Sequence, residues 1–203
     1  MPLIDDPARL RELIGSPNPA VALKLRDHLN ARAIGFIARS PLAFLSTADA
    51  QGHPTVSPKG DGPGFVRVAD ARTLLIPERK GNKLIVSLQN ILANPWIGLI
   101  FLAPPTGETL RVHGRAELTD DADLCASFTE RERPALLVMR VRVTEAYFHC
   151  AKAFLRSAVW DPATWPAAMP VSFGAEIAES GGLTTAEVPD FDRAVAERYR
   201  TDL

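Results

Sequence analysis

The sequence predicts a small, largely antiparallel β-barrel decorated by helices. Three observations carry that expectation. Short apolar or alternating runs recur between Leu42 and Val143 and are bounded by Gly, Pro, Asn and Asp, the pattern of strands joined by tight turns. A helix-period stretch from Asn82 to Asn94 is inserted among them,. The glycine-rich run Gly60-Asp61-Gly62-Pro63-Gly64 has neither the G-x-G-x-x-G nor the G-x-x-x-x-G-K-[ST] spacing, which argues against a doubly wound nucleotide-binding sheet.

A chain of 203 residues fits one domain with appendages better than two independent cores,. We read N-terminal helices over 1–40, a barrel over 42–160 and a C-terminal extension over 161–203. The net charge of −1 argues against nucleic acid or an anionic membrane as main partner,. Cys125 and Cys150 form no C-x-x-C pair and no zinc spacing, so no metal and no disulfide framework is expected. The first ten residues lack an apolar signal core, and no run reaches the roughly 18 apolar residues of a membrane span,. These features point to a cytoplasmic, reduced protein.

Asp5 or Asp6 can cap a first helix that has Pro7 in its opening turn, Leu10, Leu13 and Ile14 on its apolar side and Gly15 at its end,. A second helix is predicted after Pro19, with Val21, Leu25, Leu29 and Ala33 spaced by four, running through Ile37 to Ser40-Pro41,. Leu42 to Ala48 reads as a buried strand, Asp49 to Gly52 as a turn and His53 to Lys59 as its hairpin partner, with Ser57 and Lys59 on one face,. Phe65 to Val68 and Thr73 to Ile76 are the next two strands.

The inserted helix follows, with Leu84, Leu88, Ile91 and Leu92 on its apolar face and a stop at Asn94-Pro95,. Trp96 to Leu102 is almost wholly apolar, as in a strand covered on both faces,. From Thr109 to Leu118 the alternation is sharp: Thr109, Arg111, His113, Arg115 and Glu117 face one way, Leu110, Val112, Ala116 and Leu118 the other,. That polar side is either a solvated sheet face or a functional one. A short helix over 120–128, a strand over 136–143, a turn into a helix ending near Ser157 and a last helix between about Phe191 and Arg200 complete the reading.

Chemistry concentrates at Ile76-Pro77-Glu78-Arg79-Lys80-Gly81-Asn82-Lys83. A strand stops at Pro77, a cationic turn follows and a helix starts. Helix N-termini present unpaired N–H groups and a positive dipole end, so Arg79, Lys80 and Lys83 would gather where an anion is already favoured. The plain alternative is a solvated turn whose lysines serve solubility.

The order hairpin, Ser57-Pro58-Lys59-Gly60, strand, Ile76 to Lys83, helix, apolar strand, Glu108 to Glu117 resembles the pyridoxamine 5′-phosphate oxidase-like FMN-binding split barrel. With Phe148 to Ala153 and Arg156-Ser157 added, the chain is similar to the branch of probable FMN-dependent enzymes. The resemblance implies a mainly β fold with helices, a split antiparallel β-barrel of the FMN-binding type, and a homodimer holding FMN at the subunit interface. It places the family's phosphate-binding lysine on Lys83 and the preceding basic position on Asn82. The segment along the flavin falls on Ile76 and Pro77, and the glutamine near the isoalloxazine ring on Thr109. The family's arginine on the second flavin strand falls on Ser57, with Lys59 on the same face as a substitute. The oxidase's own substrate-gripping tail is missing, so a true pyridoxamine phosphate oxidase is not expected.

The leading functional reading is an FMN-dependent oxidoreductase that moves a hydride between the flavin and a small molecule. Arg79, Lys80 and Lys83 are assigned to the phosphate, Lys59 and Arg111 to the pyrimidine edge. A flavin carrier or sensor without turnover is the alternative, and a haem-handling barrel with His113 or His149 on the iron is the third. The same two histidines are the candidates for acid–base work. His149 and Cys150 are strand neighbours that point to opposite faces, which argues against a cysteine nucleophile. Trp96, Trp160 and Trp165 read as core or interface aromatics.

Overall fold

The computed structural model describes residues 3–202. Seven strands, β1 (Leu42–Ala48), β2 (Pro54–Gly60), β3 (Arg67–Asp70), β4 (Thr73–Glu78), β5 (Trp96–Leu102), β6 (Thr109–Thr119) and β7 (Leu137–His149), form one sheet. Its order is β2-β1-β5-β6-β7-β4-β3, and every pairing is antiparallel. The sheet curls until β2, at one edge, comes within side-chain reach of β4, next to the other edge. The helices are α1 (Pro7–Ile14), α2 (Ala31–Ile37), α3 (Val86–Ala93), α4 (Ala122–Ser127), α5 (Lys152–Ser157), α6 (Phe173–Glu179) and α7 (Val188–Thr201). The fold is a split antiparallel barrel with peripheral helices, as predicted.

Alternation places the core. Ala43, Leu45, Leu99, Phe101, Leu110, Val112, Leu74, Ile76, Met139 and Val141 all point inward and are nearly inaccessible. The helix α2 adds Ala33 and Ile37 to the same cluster, and Leu29, just ahead of its cap, joins them. A smaller cluster of Cys125, Phe128, Ala135 and Val138 lies around α4, on the other face of β7.

The strands read over 42–48 and 96–102 from their apolar runs, and over 109–118 from its alternation, are all found in those places. The second helix is not one helix. A 3-10 turn spans Pro19–Lys24, and the chain then extends. Arg26 exchanges backbone hydrogen bonds with Ala146, and the Leu29 N–H donates to the Ala71 carbonyl. Asn30 starts a new helix by accepting from the Ala33 N–H. Main-chain groups committed to the barrel cannot also close helical turns.

The strand read over 65–68 lies two residues later, at Arg67–Asp70, and the one read over 136–143 runs on to His149 because β6 pairs with it along its length. The run Trp96 to Leu102 is fully buried on one face; on the other, Trp96 is half exposed and Gly98 and Ile100 are only partly covered. The apolar side of α1 is likewise open. The helix α6, capped by Ser172, had no counterpart in the sequence reading.

The β6–β7 pairing shifts register at Gly114, where an added Cβ would lie 2.4 Å from the Arg142 carbonyl oxygen. Only a residue without a side chain fits this bulge. Gly114→Ala is expected to destabilise the fold by about 1–3 kcal/mol, the range for forced overpacking, read as a lower urea midpoint at constant slope.

Candidate functional site

A cleft of about 620 Å³ opens along the seam between β2 and β4. Its floor and walls are the end of β2 (Ser57 to Gly60), the chain leaving β4 (Pro77 to Lys83), the start of α3 (Ile85 to Leu88) and the entry to β7 at Leu136 and Leu137. That volume lies within the range typical of small-molecule and cofactor sites.

The seam is closed by side chains. Lys59 Nζ donates to Glu78 Oε2 at 2.6 Å, joining β2 to β4, and the two side chains are only 16% and 22% exposed. Just beyond, Arg79 Nε donates to Asp61 Oδ2 at 3.0 Å and Arg79 Nη1 donates to the Phe128 carbonyl at 2.6 Å. Ser57 and Ser87 share a hydroxyl hydrogen bond of 2.7 Å, and Asn90 Nδ2 donates to Thr47 and Thr55, each at 3.1 Å. These contacts tie α3 to the inward face of β1 and β2.

The helix α3 starts at Val86, four residues later than the sequence reading placed it. Its buried side is made by Ser87, Asn90 and Ile91, whereas Leu84 precedes the helix and Leu92 is 77% exposed. The polar bonds to β1 and β2 rotate the helix away from its most apolar face. Lys83 and Ile85, in the intervening loop, have φ of 62° and 48°, a region that costs a β-branched residue roughly 1–3 kcal/mol. No side chain caps α3, so its first N–H groups lack a side-chain partner where Val86 and Ser87 line the cleft,.

Of the residues singled out by sequence, Ser57, Lys59, Pro77, Arg79, Lys80, Asn82 and Lys83 all line this cleft. Asn82 turns its side chain to the Leu84 N–H. Lys80 Nζ donates to Asp202 Oδ1 at 2.7 Å. Lys83 forms no ion pair among the described residues. Ile76 points into the barrel core. Thr109 and Arg111 lie on β6, away from the cleft lining; Thr109 is buried opposite His149, and Arg111 pairs with Ile100 and Tyr147. The Arg111 Nε atom is buried without a partner.

His113 faces outward on the same strand, its Nδ1 2.9 Å from Glu145 Oε1 and its ring edge-on to Tyr147. Neither His113 nor His149 lines the cleft. The sequence reading missed Asp61, Glu78 and Ser87 in the lining and Asp202 as the partner of Lys80 from outside it, because the signal for each is a spatial pairing across many residues of chain.

The model of the family described as "Pyridoxamine 5'-phosphate oxidase" matches residues 29–150. The chain belongs to this family. The match takes in all seven strands and α2 to α4, and leaves α1 and α5 to α7 outside. A search of curated proteins finds no match. Among solved structures, an alanine variant of HupZ from Group A Streptococcus is 21% identical, with a TM-score of 0.50 over 60% of this chain and 99% of that one. An FMN-binding protein from Syntrophomonas wolfei is 11% identical, with a TM-score of 0.46 over 59% of this chain and 84% of that one. The haem storage protein HutZ from Vibrio cholerae is 18% identical, with a TM-score of 0.38 over 57% of this chain and 89% of that one.

If the Lys59–Glu78 pair closes the barrel, Glu78→Ala should cost about 3–5 kcal/mol at most, the range for stranding one partner of a fully buried pair, and less in proportion to its residual exposure. The double change Lys59→Met with Glu78→Leu should recover most of the loss. Chemical denaturation of the three variants measures both effects.

Proposed function

We propose that the seam cleft binds FMN and that the protein is an FMN-dependent oxidoreductase acting on a small molecule. One observation carries the reading: Lys83, free of any ion pair among the described residues, stands beside the uncapped start of α3 in a cleft large enough for a cofactor. A phosphate monoester suits that position, because a cation and unpaired helix N–H groups converge on it.

The residues present fit the group. Lys83 and Lys80 would hold the phosphate, while Pro77, Leu136, Leu137 and Ile85 offer apolar wall to a flat ring system. Arg79 enters as a wall: its guanidinium fixes Asp61 and the Phe128 carbonyl. Lys59 keeps a positive charge in the cleft while Glu78 holds it in place. When bound, the flavin supplies hydride transfer, and the protein supplies orientation, charge and exclusion of water. The orphaned Arg111 Nε, with exposed Phe44, Val56 and Trp96 on the outward sheet face, supports a homodimer in which a second copy covers that face,.

A second reading has its own support. Among the described residues the cleft lining contains no histidine, cysteine or tyrosine, and both of its carboxylates sit in ion pairs. A site so poor in acid–base groups suits a flavin carrier or sensor. It suits haem less well, since the lining has none of the usual protein ligands for iron. Stopped-flow reduction of bound FMN by a nicotinamide donor separates oxidoreductase from carrier.

Lys83→Ala is expected to weaken FMN binding by well over tenfold, equivalent to about 1.5–3 kcal/mol for a lost charged hydrogen bond. Riboflavin, which lacks the phosphate, should bind both proteins alike. Equal FMN affinities, measured by quenching of flavin fluorescence, would overturn the phosphate assignment.

A further inference from the structure

Lys80 reaches the last described residue of the chain. Its Nζ is 2.7 Å from Asp202 Oδ1, with the lysine side chain 52% and the aspartate 23% exposed. Asp202 is the C-cap of α7, so its carboxylate sits at the negative end of a 14-residue helix,. The Lys80 hydrogen bond also holds that carboxyl below the ordinary carboxylate range.

The helix α7 is otherwise a loosely held element. It packs mainly on α6, to which it is pinned where Asp192 accepts from Ser172 Oγ and from the Gly174 N–H. No residue of α7 is buried. The chain that leads from α5 to this hairpin, residues 158–172, carries three prolines and exposes Trp165, Met169 and Val171. An otherwise weakly attached helical hairpin therefore ends in a carboxylate placed on a cation of the cleft.

We propose that Asp202 is a built-in competitor for the phosphate of the cofactor. In the apo protein it neutralises Lys80 and latches α7 to the rim of the cleft; a bound phosphate takes over Lys80 and releases the latch. The inference rests on the FMN reading of the cleft and adds a coupling between cofactor loading and the position of the C-terminal hairpin. By linkage, a group that must leave before a ligand binds lowers the apparent affinity by the free energy of its own contact.

The test uses the full-length chain stripped of flavin. Dissociation constants for FMN and riboflavin are measured for the parent, Asp202→Asn, Lys80→Ala and the double variant. Asp202→Asn should bind FMN roughly three- to tenfold more tightly, the effect of removing a surface ion pair plus a nearby like charge, and riboflavin unchanged. The gain should vanish in the Lys80→Ala background. Hydrogen exchange of residues 188–202 in the parent should rise when FMN is added.

Equal FMN affinity for the parent and Asp202→Asn, with Lys83→Ala still impaired, overturns the latch and leaves the cofactor reading standing. A gain that persists without Lys80, or unchanged exchange in 188–202, overturns it as well. Absence of FMN binding by both the parent and Asp202→Asn overturns the cofactor reading and the latch together.

Discussion

The structure depends on how the barrel is closed. A sheet that curls on itself can join its edges by main-chain hydrogen bonds, and then it has no opening. Here β2 and β4 are joined by Lys59 with Glu78, and the chain just beyond them by Asp61 with Arg79. Long side chains hold strands further apart than the roughly 4.8 Å of a ladder. The gap that remains is the cleft. A fold closed by charges therefore acquires a polar opening lined by those same charges, and the candidate site is a consequence of the closure.

The helix α3 follows from the same constraint. It spans the inward face of an edge strand whose outward neighbours are missing, and the polar groups of that edge need partners inside. Ser57, Thr47 and Thr55 find them on Ser87 and Asn90. Satisfying these hydroxyls fixes the rotation of the helix and leaves Leu92 in solvent. It also delays the helix start to Val86, so that the connection from β4 must turn through Lys83 and Ile85 in left-handed conformations. Strain held this way, beside an uncapped helix end, is the kind that clusters at binding sites.

Much of this was legible in the sequence, and the remainder was hidden for definite reasons. Strand β6 declares itself through period-two alternation, because one of its faces is in the core, and β1 and β5 through apolar runs bounded by turns. The cations of the cleft were legible as a cluster, since Arg79, Lys80 and Lys83 are close along the chain. Their counter-charges were not: Glu78 meets Lys59 across 19 residues, Asp61 meets Arg79 across 18 and Asp202 meets Lys80 across 122. Pattern reading sees local period, and an ion pair across a curled sheet has none. The broken second helix failed for a related reason, because Val21, Leu25, Leu29 and Ala33 keep helical spacing while Arg26 is bound to a strand.

The charge of the cleft ties stability to the proposed ligand. Four cations, Lys59, Arg79, Lys80 and Lys83, line it against two carboxylates, Asp61 and Glu78, an excess of two positive charges. A phosphate monoester carries about −1.5 to −2 near neutral pH, so it matches the excess almost one for one. Asp202, from outside the lining, cancels half of it. Like charges crowded in a partly desolvated space repel, and an apo protein with no such carboxylate would hold its two free lysines against each other. A carboxylate borrowed from the C-cap of α7 relieves that repulsion until a better anion arrives. A helix far along the chain can therefore respond to cofactor loading without touching the flavin ring: the two compete for one cation.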